Sequence, residues 1–250
     1  MEKLSEEVNL IIEQGNTSLK VAVYDKGRIV DSYVYDAFGV GDLSLLFGRH
    51  KLTCGIMSSV ACVDEKLVLF LKEKLSYFIF FDEYTPVPVT VQYDSRKTLG
   101  RDRLAAAVGA NFLAPGKDVL VIDAGTAITY EFVTASGVYL GGNISPGMTT
   151  RFRALNQYTE QLPLVNEADD LPEIGHNTIA AIQAGVVKGI VYEMDGYIDE
   201  YRKKKPSLLV FLTGGHSNYF ERRLKNSIFA DINLVLTGLN RILEYNVKNK

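Results

Sequence analysis

The chain has 250 residues, 47% of them hydrophobic and 23% charged, with a formal net charge of −3. That length suits one large domain or two smaller ones, and the composition is that of an ordinary folded protein. The charge argues against a nucleic-acid binder that works by overall positive charge. No apolar run approaches the roughly 20 residues that span a bilayer.

The first twelve residues, MEKLSEEVNLII, are acidic with a short apolar run, unlike a secretory signal. Strands are predicted over residues 8–12 and 19–24, joined by a turn at Gln14-Gly15-Asn16. Lys26-Gly27 turns the chain into a third strand over 28–35. Helices are predicted near 42–47 and 64–74, alternating with strands near 55–60 and 78–81. A short extended piece at 90–93 precedes an alanine-rich helix over 104–112. Pro115-Gly116 breaks that helix and marks the predicted domain boundary, giving domains 1–115 and 116–250.

A second three-strand hairpin opens at Val119, runs through Ile144 and ends at Pro146-Gly147. The longest predicted helix covers 178–201, with Ile179, Ile182, Val186, Ile190, Met194 and Ile198 on one face. Ala184, Gly185 and Gly189 thin another face, so close backbone packing is expected there. Asn177 or Thr178 is the expected cap. A buried strand at 208–212 runs into Thr213-Gly214-Gly215, where a helix starts. The apolar run Leu234–Leu236 leads into Thr237-Gly238, and a last helix finishes the chain. Residues 166–173 read as an acidic surface loop, and the basic run 202–205 as a solvated helix end. Cys54 and Cys62 form no metal-binding pattern and suit core or strand thiols of a reducing cytosol. The three histidines do not assemble into a site.

The chain repeats itself. Residues 8–30 (VNLIIEQGNTSLKVAVYDKGRIV) align without a gap on residues 118–140 (DVLVIDAGTAITYEFVTASGVYL). In each copy an apolar run ends in an acid, Glu13 or Asp123, and a glycine follows two residues later, Gly15 or Gly125. Such turns present backbone N–H groups as an anion nest. Asn16, Thr17 and Ser18 add polar groups to the first turn, and Thr126 and Thr129 to the second. The acids repel phosphate unless a cation stands between them. Two related domains, each supplying one turn to a divided phosphate site, are the expectation.

Thr98-Leu99-Gly100-Arg101-Asp102-Arg103 opens the alanine-rich helix. A first-turn acid suits the helix dipole, but the flanking arginines oppose it. A carboxylate that receives a hydroxyl proton beside anion-holding guanidinium groups suits phosphoryl transfer to an alcohol. Gly141-Gly142-Asn143-Ile144-Ser145-Pro146-Gly147 lets the backbone pass close to a ligand or another strand. Thr213-Gly214-Gly215 follows a buried strand, where ligands collect in α/β sheets.

Taken in order, GNTSLK (15–20), GRDR (100–103), DAGTAIT (123–129), GGNISPG (141–147), GHNT (175–178) with AIQAG (181–185), TGG (213–215) and TGL (237–239) resemble the motifs of the type III pantothenate kinases. These belong to the acetate and sugar kinase, heat-shock chaperone and actin superfamily. The resemblance covers nearly the whole chain. It implies an α/β fold of two ribonuclease-H-like, actin-like ATPase domains, each a mixed five-stranded sheet with flanking helices. It implies transfer of the γ-phosphoryl of ATP to the primary hydroxyl of pantothenate, the opening step of coenzyme A synthesis. By position, Asp102 is then the general base, and Tyr93, Gly100, Arg101, Arg103 and Thr178 line the pantothenate site. Glu13, Gln14, Gly15, Asn16, Thr17, Ser18, Leu19, Lys20 and Thr126 surround ATP. Asp123 is the ligand of a monovalent cation, K⁺ or NH₄⁺, and Mg²⁺ accompanies ATP. A cytoplasmic homodimer with no nucleic-acid or membrane partner is implied as well.

One residue departs from the family pattern, whose first motif usually begins with aspartate where this chain has Glu13. Its carboxylate sits one methylene further out, which puts its placement of magnesium in question. Two other readings stand beside the leading one. They are a non-catalytic transcription accessory factor of the same fold and a kinase for another small hydroxy acid.

Overall fold

The computed structural model describes residues 8–15, 18–36 and 38–250. Two compact units emerge. The first holds the chain up to Pro115 together with Gly137–Tyr139 and Asn233–Lys250, and the second holds Gly116–Ser136 and Leu140–Ile232.

In the first unit β1 (Val8–Gln14), β2 (Leu19–Asp25) and β3 (Arg28–Tyr35) form a meander. After α1 (Val40–Arg49), β4 (Leu52–Ser59) returns parallel to β1. After α2 (Glu65–Lys74), β5 (Tyr77–Phe80) closes the order β3-β2-β1-β4-β5. A short β6 (Thr90–Val91) pairs in parallel with Val138 and Tyr139. Alternation builds the sheet: Leu10, Ile12, Val21 and Val23 share one core with Leu43, Leu46, Leu67 and Leu71 of the covering helices. Asp42 accepts from Gly39 N at 3.0 Å at the head of α1, and Asp64 caps α2 through Lys66 N at 2.9 Å.

The alanine-rich helix is longer than predicted, α3 (Arg101–Leu113). A Cβ on its Gly109 would lie 2.4 Å from Leu234 O and 3.1 Å from Gly238 N. A Cβ on Gly238 would lie 1.8 Å from Ala105 O. The 234–236 run is helical. It is the first turn of the last helix of the chain, which spans Leu234–Lys248, and Gly238 lies within that helix, where it lets α3 pack backbone to backbone. Asn9 Nδ2 donates to Asn240 Oδ1 at 2.8 Å, which ties that helix to β1.

The second unit repeats the plan. β7 (Val119–Ala124), β8 (Ala127–Val133) and β9 (Val138–Pro146) follow one another. β10 (Leu209–Thr213) runs parallel to β7, and β11 (Phe229–Ala230), absent from the prediction, parallel to β10. The sheet order is β11-β10-β7-β8-β9-β6, with the short β6 on the edge beside β9. Both sheets thus centre on a hairpin with a parallel strand on its far side. Gly142 sits where a Cβ would be 1.6 Å from Tyr130 O, so this part of the glycine-rich cluster serves strand-on-strand packing.

A helix absent from the prediction, α4 (Met148–Gln157), packs with the long α5 (Thr178–Lys204). Asn177 caps α5 through Ala180 N at 2.9 Å. Ile182, Val186, Ile190, Met194 and Ile198 bury against Leu120, Ile122 and Leu212. Each such side chain contributes roughly 1.5–3 kcal/mol. Ile179 is instead 52% exposed, and a Cβ at Gly185 or Gly189 would meet nothing within 4 Å, so the expected close packing there is not formed. Nor is the basic run wholly solvated: Arg202 donates to Asn226 Oδ1 at 2.6 Å and to Ser227 O at 2.8 Å. The short α6 (Ser217–Glu221) and the carboxy-terminal α7 (Leu234–Lys248) complete the elements. Among the described residues no helix is long and apolar enough to cross a membrane.

Candidate active site

In the first unit Glu13 and Gln14 end β1. Gly15 N donates to Ser18 O at 3.0 Å, closing the turn that returns as Leu19 and Lys20 of β2. Asn16 and Thr17 lie outside the described residues. Glu13 and Lys20 are register partners, with Nζ 3.9 Å from Oε2. Oε2 is buried and accepts no hydrogen bond among the described residues. Burial pushes the Glu13 carboxyl up, Lys20 opposes this, and the nearby Asp102 carboxylate adds to it. Glu13 and Asp102 thus share one electrostatic neighbourhood, which unites two sequence motifs nearly ninety positions apart.

Asp102 sits in the first turn of α3, half-buried, its Oδ1 accepting from Arg103 N at 2.8 Å. Gly100 leaves room for this carboxylate: a Cβ there would fall 2.6 Å from Asp102 Oδ1, so the side chain would have to turn aside. The two arginines differ. Arg101 is buried, donates to Arg96 O at 2.8 Å and Lys97 O at 3.4 Å, and lies 3.8 Å from Glu83. Its guanidinium therefore holds the segment leading into α3. The Arg103 guanidinium lies 5.8 Å from the ring centre of Tyr93, and the Tyr93 ring is 6.3 Å from that of Tyr139. The structure brings Tyr93, Gly100, Asp102 and Arg103 together around the head of α3.

In the second unit Gly125 N donates to Ala127 O at 3.0 Å, a tighter closure than in the first. The register moves accordingly. Asp123 stands opposite Thr129, whereas the gapless sequence alignment would set it opposite Tyr130. On its other side Asp123 pairs with Thr213 of β10. Opposed residues share a sheet face, so both threonines flank the carboxylate. The hydroxyl oxygens of Thr129 and Thr213 are buried without a hydrogen-bond partner among the described residues. Gly214, at φ +93°, presses on the same place: a Cβ there would be 2.4 Å from Asp123 Oδ1. The Thr126 turn is held from beneath, its carbonyl accepting from Gly147 N at 3.0 Å and Thr150 Oγ1 at 2.7 Å.

Thr178 opens α5 on the rim of a cavity of about 870 Å³. Arg151, Leu155, Leu162, Ile182 and Val186 contribute to its largely apolar lining. Nearby, Arg151 pairs with Glu193 at 2.5 Å, and Glu193 Oε1 accepts from Tyr130 at 2.7 Å. Burial and that carboxylate push the Tyr130 phenol up. No group of three or more His, Cys, Asp or Glu is placed to hold a metal among the described residues. Thr213 was legible only as part of a glycine motif. Its place opposite Asp123 needed the strand register.

Residues 9–200 match the family model for type III pantothenate kinase. The chain belongs to the type III pantothenate kinase family. It is 49% identical to the type III pantothenate kinase of Phocaeicola vulgatus, over 96% of this chain and 100% of that one. It is 48% identical to that of Bacteroides fragilis over 96% and 98%, and 46% identical to that of Porphyromonas gingivalis over 96% and 99%. Among solved structures, a Baf family transcriptional activator from Campylobacter jejuni superposes with TM-score 0.61 at 22% identity, over 96% of this chain and 99% of that one. A ROK family protein from Streptococcus pneumoniae superposes with TM-score 0.54 at 11% identity, over 97% and 100%. These likenesses concern the fold, two mixed sheets of the ribonuclease-H-like, actin-like ATPase kind. Membership of a kinase family makes the chain an ATP- and divalent-metal-dependent enzyme.

Proposed function

We propose that the protein transfers the γ-phosphoryl of ATP to the primary hydroxyl of pantothenate, with Asp102 as the general base. The observation that carries this reading is the half-buried Asp102 carboxylate at the head of α3, beside Tyr93 and Arg103 and within electrostatic reach of Glu13. A carboxylate so placed accepts or orients the hydroxyl proton as the oxygen attacks phosphorus. The Arg103 guanidinium favours the anionic oxygens of substrate. Gly100, Arg101 and Thr178 complete the pantothenate site in this reading, and Arg101 acts by holding the approach to α3. Gly15 and its neighbours from Glu13 to Lys20, with Thr126, contact ATP.

Asp123 is the proposed anchor of a monovalent cation. Two buried threonine hydroxyls, without a hydrogen-bond partner among the described residues and flanking a carboxylate, make an oxygen-donor set suited to a hard cation. K⁺ or NH₄⁺ bound there supplies positive charge against phosphate. Glu13 is the proposed carboxylate toward magnesium, with Lys20 balancing part of its charge. The boundary between the two domains is proposed at residues 115–116. A cytoplasmic homodimer is proposed as well. The exposed Ile179 and Tyr192 and the uncovered glycines 185 and 189 of α5 support an apolar contact between subunits.

The test is coupled ATP turnover with and without pantothenate, across Na⁺, K⁺ and NH₄⁺. Turnover should require pantothenate and rise with K⁺ or NH₄⁺. Asp102→Asn should lower kcat by about 10²–10⁴-fold, with ATP binding and melting temperature retained. Normal turnover in that variant refutes the base assignment. ATP binding without phosphorylation of pantothenate or a related alcohol favours a regulator.

A further inference from the structure

β4 ends at Ser59, which lies directly beside Gln14 in the parallel β1–β4 register. Gln14 is the last residue of β1 and immediately precedes Gly15. A long polar side chain at that point looks suited to reach a nucleotide, yet both ends of its amide are committed to the 59–62 segment. Ser59 Oγ donates to Gln14 Oε1 at 3.1 Å, and Gln14 Nε2 donates to Cys62 O at 3.2 Å. The backbone follows suit, with Val60 N donating to Gln14 O at 3.0 Å. Ser59 Oγ also accepts from Ala61 N at 3.1 Å, and its one proton is shared between Gln14 Oε1 and Ala61 O, the latter at 2.9 Å. One hydroxyl thus folds the 59–62 segment on itself and clamps it to the head of the first turn.

We propose that Ser59 is a positioning residue for the first phosphate turn, acting through Gln14. This rests on the reading of the Gly15 turn as a holder of ATP phosphates. A turn that presents backbone N–H groups to an anion must hold their direction. Among the described residues the turn is closed by the bond from Gly15 N to Ser18 O, and glycine itself restrains the backbone least. Gln14 sets the direction in which the chain enters that turn, and the Ser59 clamp fixes Gln14. Without the hydroxyl, the Gln14 amide keeps its Nε2 bond to Cys62 O but loses its partner at Oε1, which leaves that acceptor to compete for the N–H groups that hold phosphate.

The experiment begins with binding of a non-hydrolysable ATP analogue to the unaltered protein. Absence of binding there refutes the ATP reading, and the proposal falls with it. Given binding, Ser59→Ala should weaken the analogue and raise KM for ATP by about three- to tenfold, the range of one lost hydrogen bond. KM for pantothenate should stay unchanged, with kcat within about twofold. Ser59→Thr, which keeps the hydroxyl, should restore KM for ATP. In a Gln14→Ala background, Ser59→Ala should add nothing. If Ser59→Ala does not fold, Ser59→Cys, nearly isosteric and a weaker donor, reads the same weakening. Unchanged ATP affinity, equal effects on both substrates, or additive losses in the double variant would each overturn the proposal.

Discussion

Glu13 and Lys20 face each other across β1 and β2, Oε2 3.9 Å from Nζ, while the equivalent acid of the second copy, Asp123, faces Thr129. The duplicated hairpins differ by one residue of register because the second turn closes sooner. That slip sets Thr129 rather than Tyr130 opposite the second acid, where the first acid faces Lys20. The first acid has a fixed positive partner, and the second has two neutral oxygens beside it, Thr129 and Thr213. Two turns of one sequence pattern thus place their acids beside different cross-strand partners.

The buried Glu13 carboxyl makes a pH-dependent difference to stability. Its pKa is raised above the ordinary 4.5, so the folded state binds the proton more tightly than the unfolded state. Stability from this group is full below the unfolded pKa and falls as pH rises through the folded pKa. Glu13→Gln carries no ionisation cost. Its melting temperature relative to the unaltered protein should therefore climb between pH 4 and pH 8 in a series of thermal melts. A difference that is flat in pH contradicts the assignment.

Thr129→Lys should recreate the Glu13–Lys20 arrangement opposite Asp123. A resident ammonium there substitutes for the proposed cation. Stimulation by K⁺ should disappear from turnover, and the melting temperature should no longer differ between K⁺ and Na⁺ buffers. Retained K⁺ dependence in both measurements places the cation elsewhere.

Gly214→Ala puts a side chain into a left-handed backbone at φ +93° and within 2.4 Å of Asp123 Oδ1. The backbone strain alone costs about 1–2 kcal/mol, and the clash adds to it. Chemical denaturation should show a loss of about 2 kcal/mol or more, accompanied by weakened stimulation by K⁺.

Gly238→Ala tests the contact between α3 and α7. The new Cβ would meet Ala105 O at 1.8 Å, so the helices must separate. A loss of about 1–3 kcal/mol is expected in urea melts. Gly185→Ala serves as the control in an unfolding measurement. Its site is open, and alanine is the better helix former by about 1 kcal/mol, so it should be neutral or stabilising within one subunit.

The two hairpins, the alternating helices and strands after the first, and the α5 stripe could all be read along the chain. Alternation of apolar residues, turn glycines and helical spacing are local signals. The same is true of Glu13, Asp102 and Asp123 as marked acids, because each lies beside glycines or arginines that have no plain structural need of it. What lay beyond the chain order was decided by tertiary packing. Leu234–Leu236 is too short an apolar run to distinguish strand from helix, and the approach of α3 at Gly109 and Gly238 settles it as helix. A gapless alignment of the repeats cannot show that one turn closes a residue earlier, because register depends on which N–H finds which carbonyl. Thr213 meets Asp123, and Ser59 meets Gln14, only through parallel pairing of strands remote in sequence. The residue types that do chemistry are thus written locally, whereas the partners that set their charge and direction are supplied by strand pairing and helix contact.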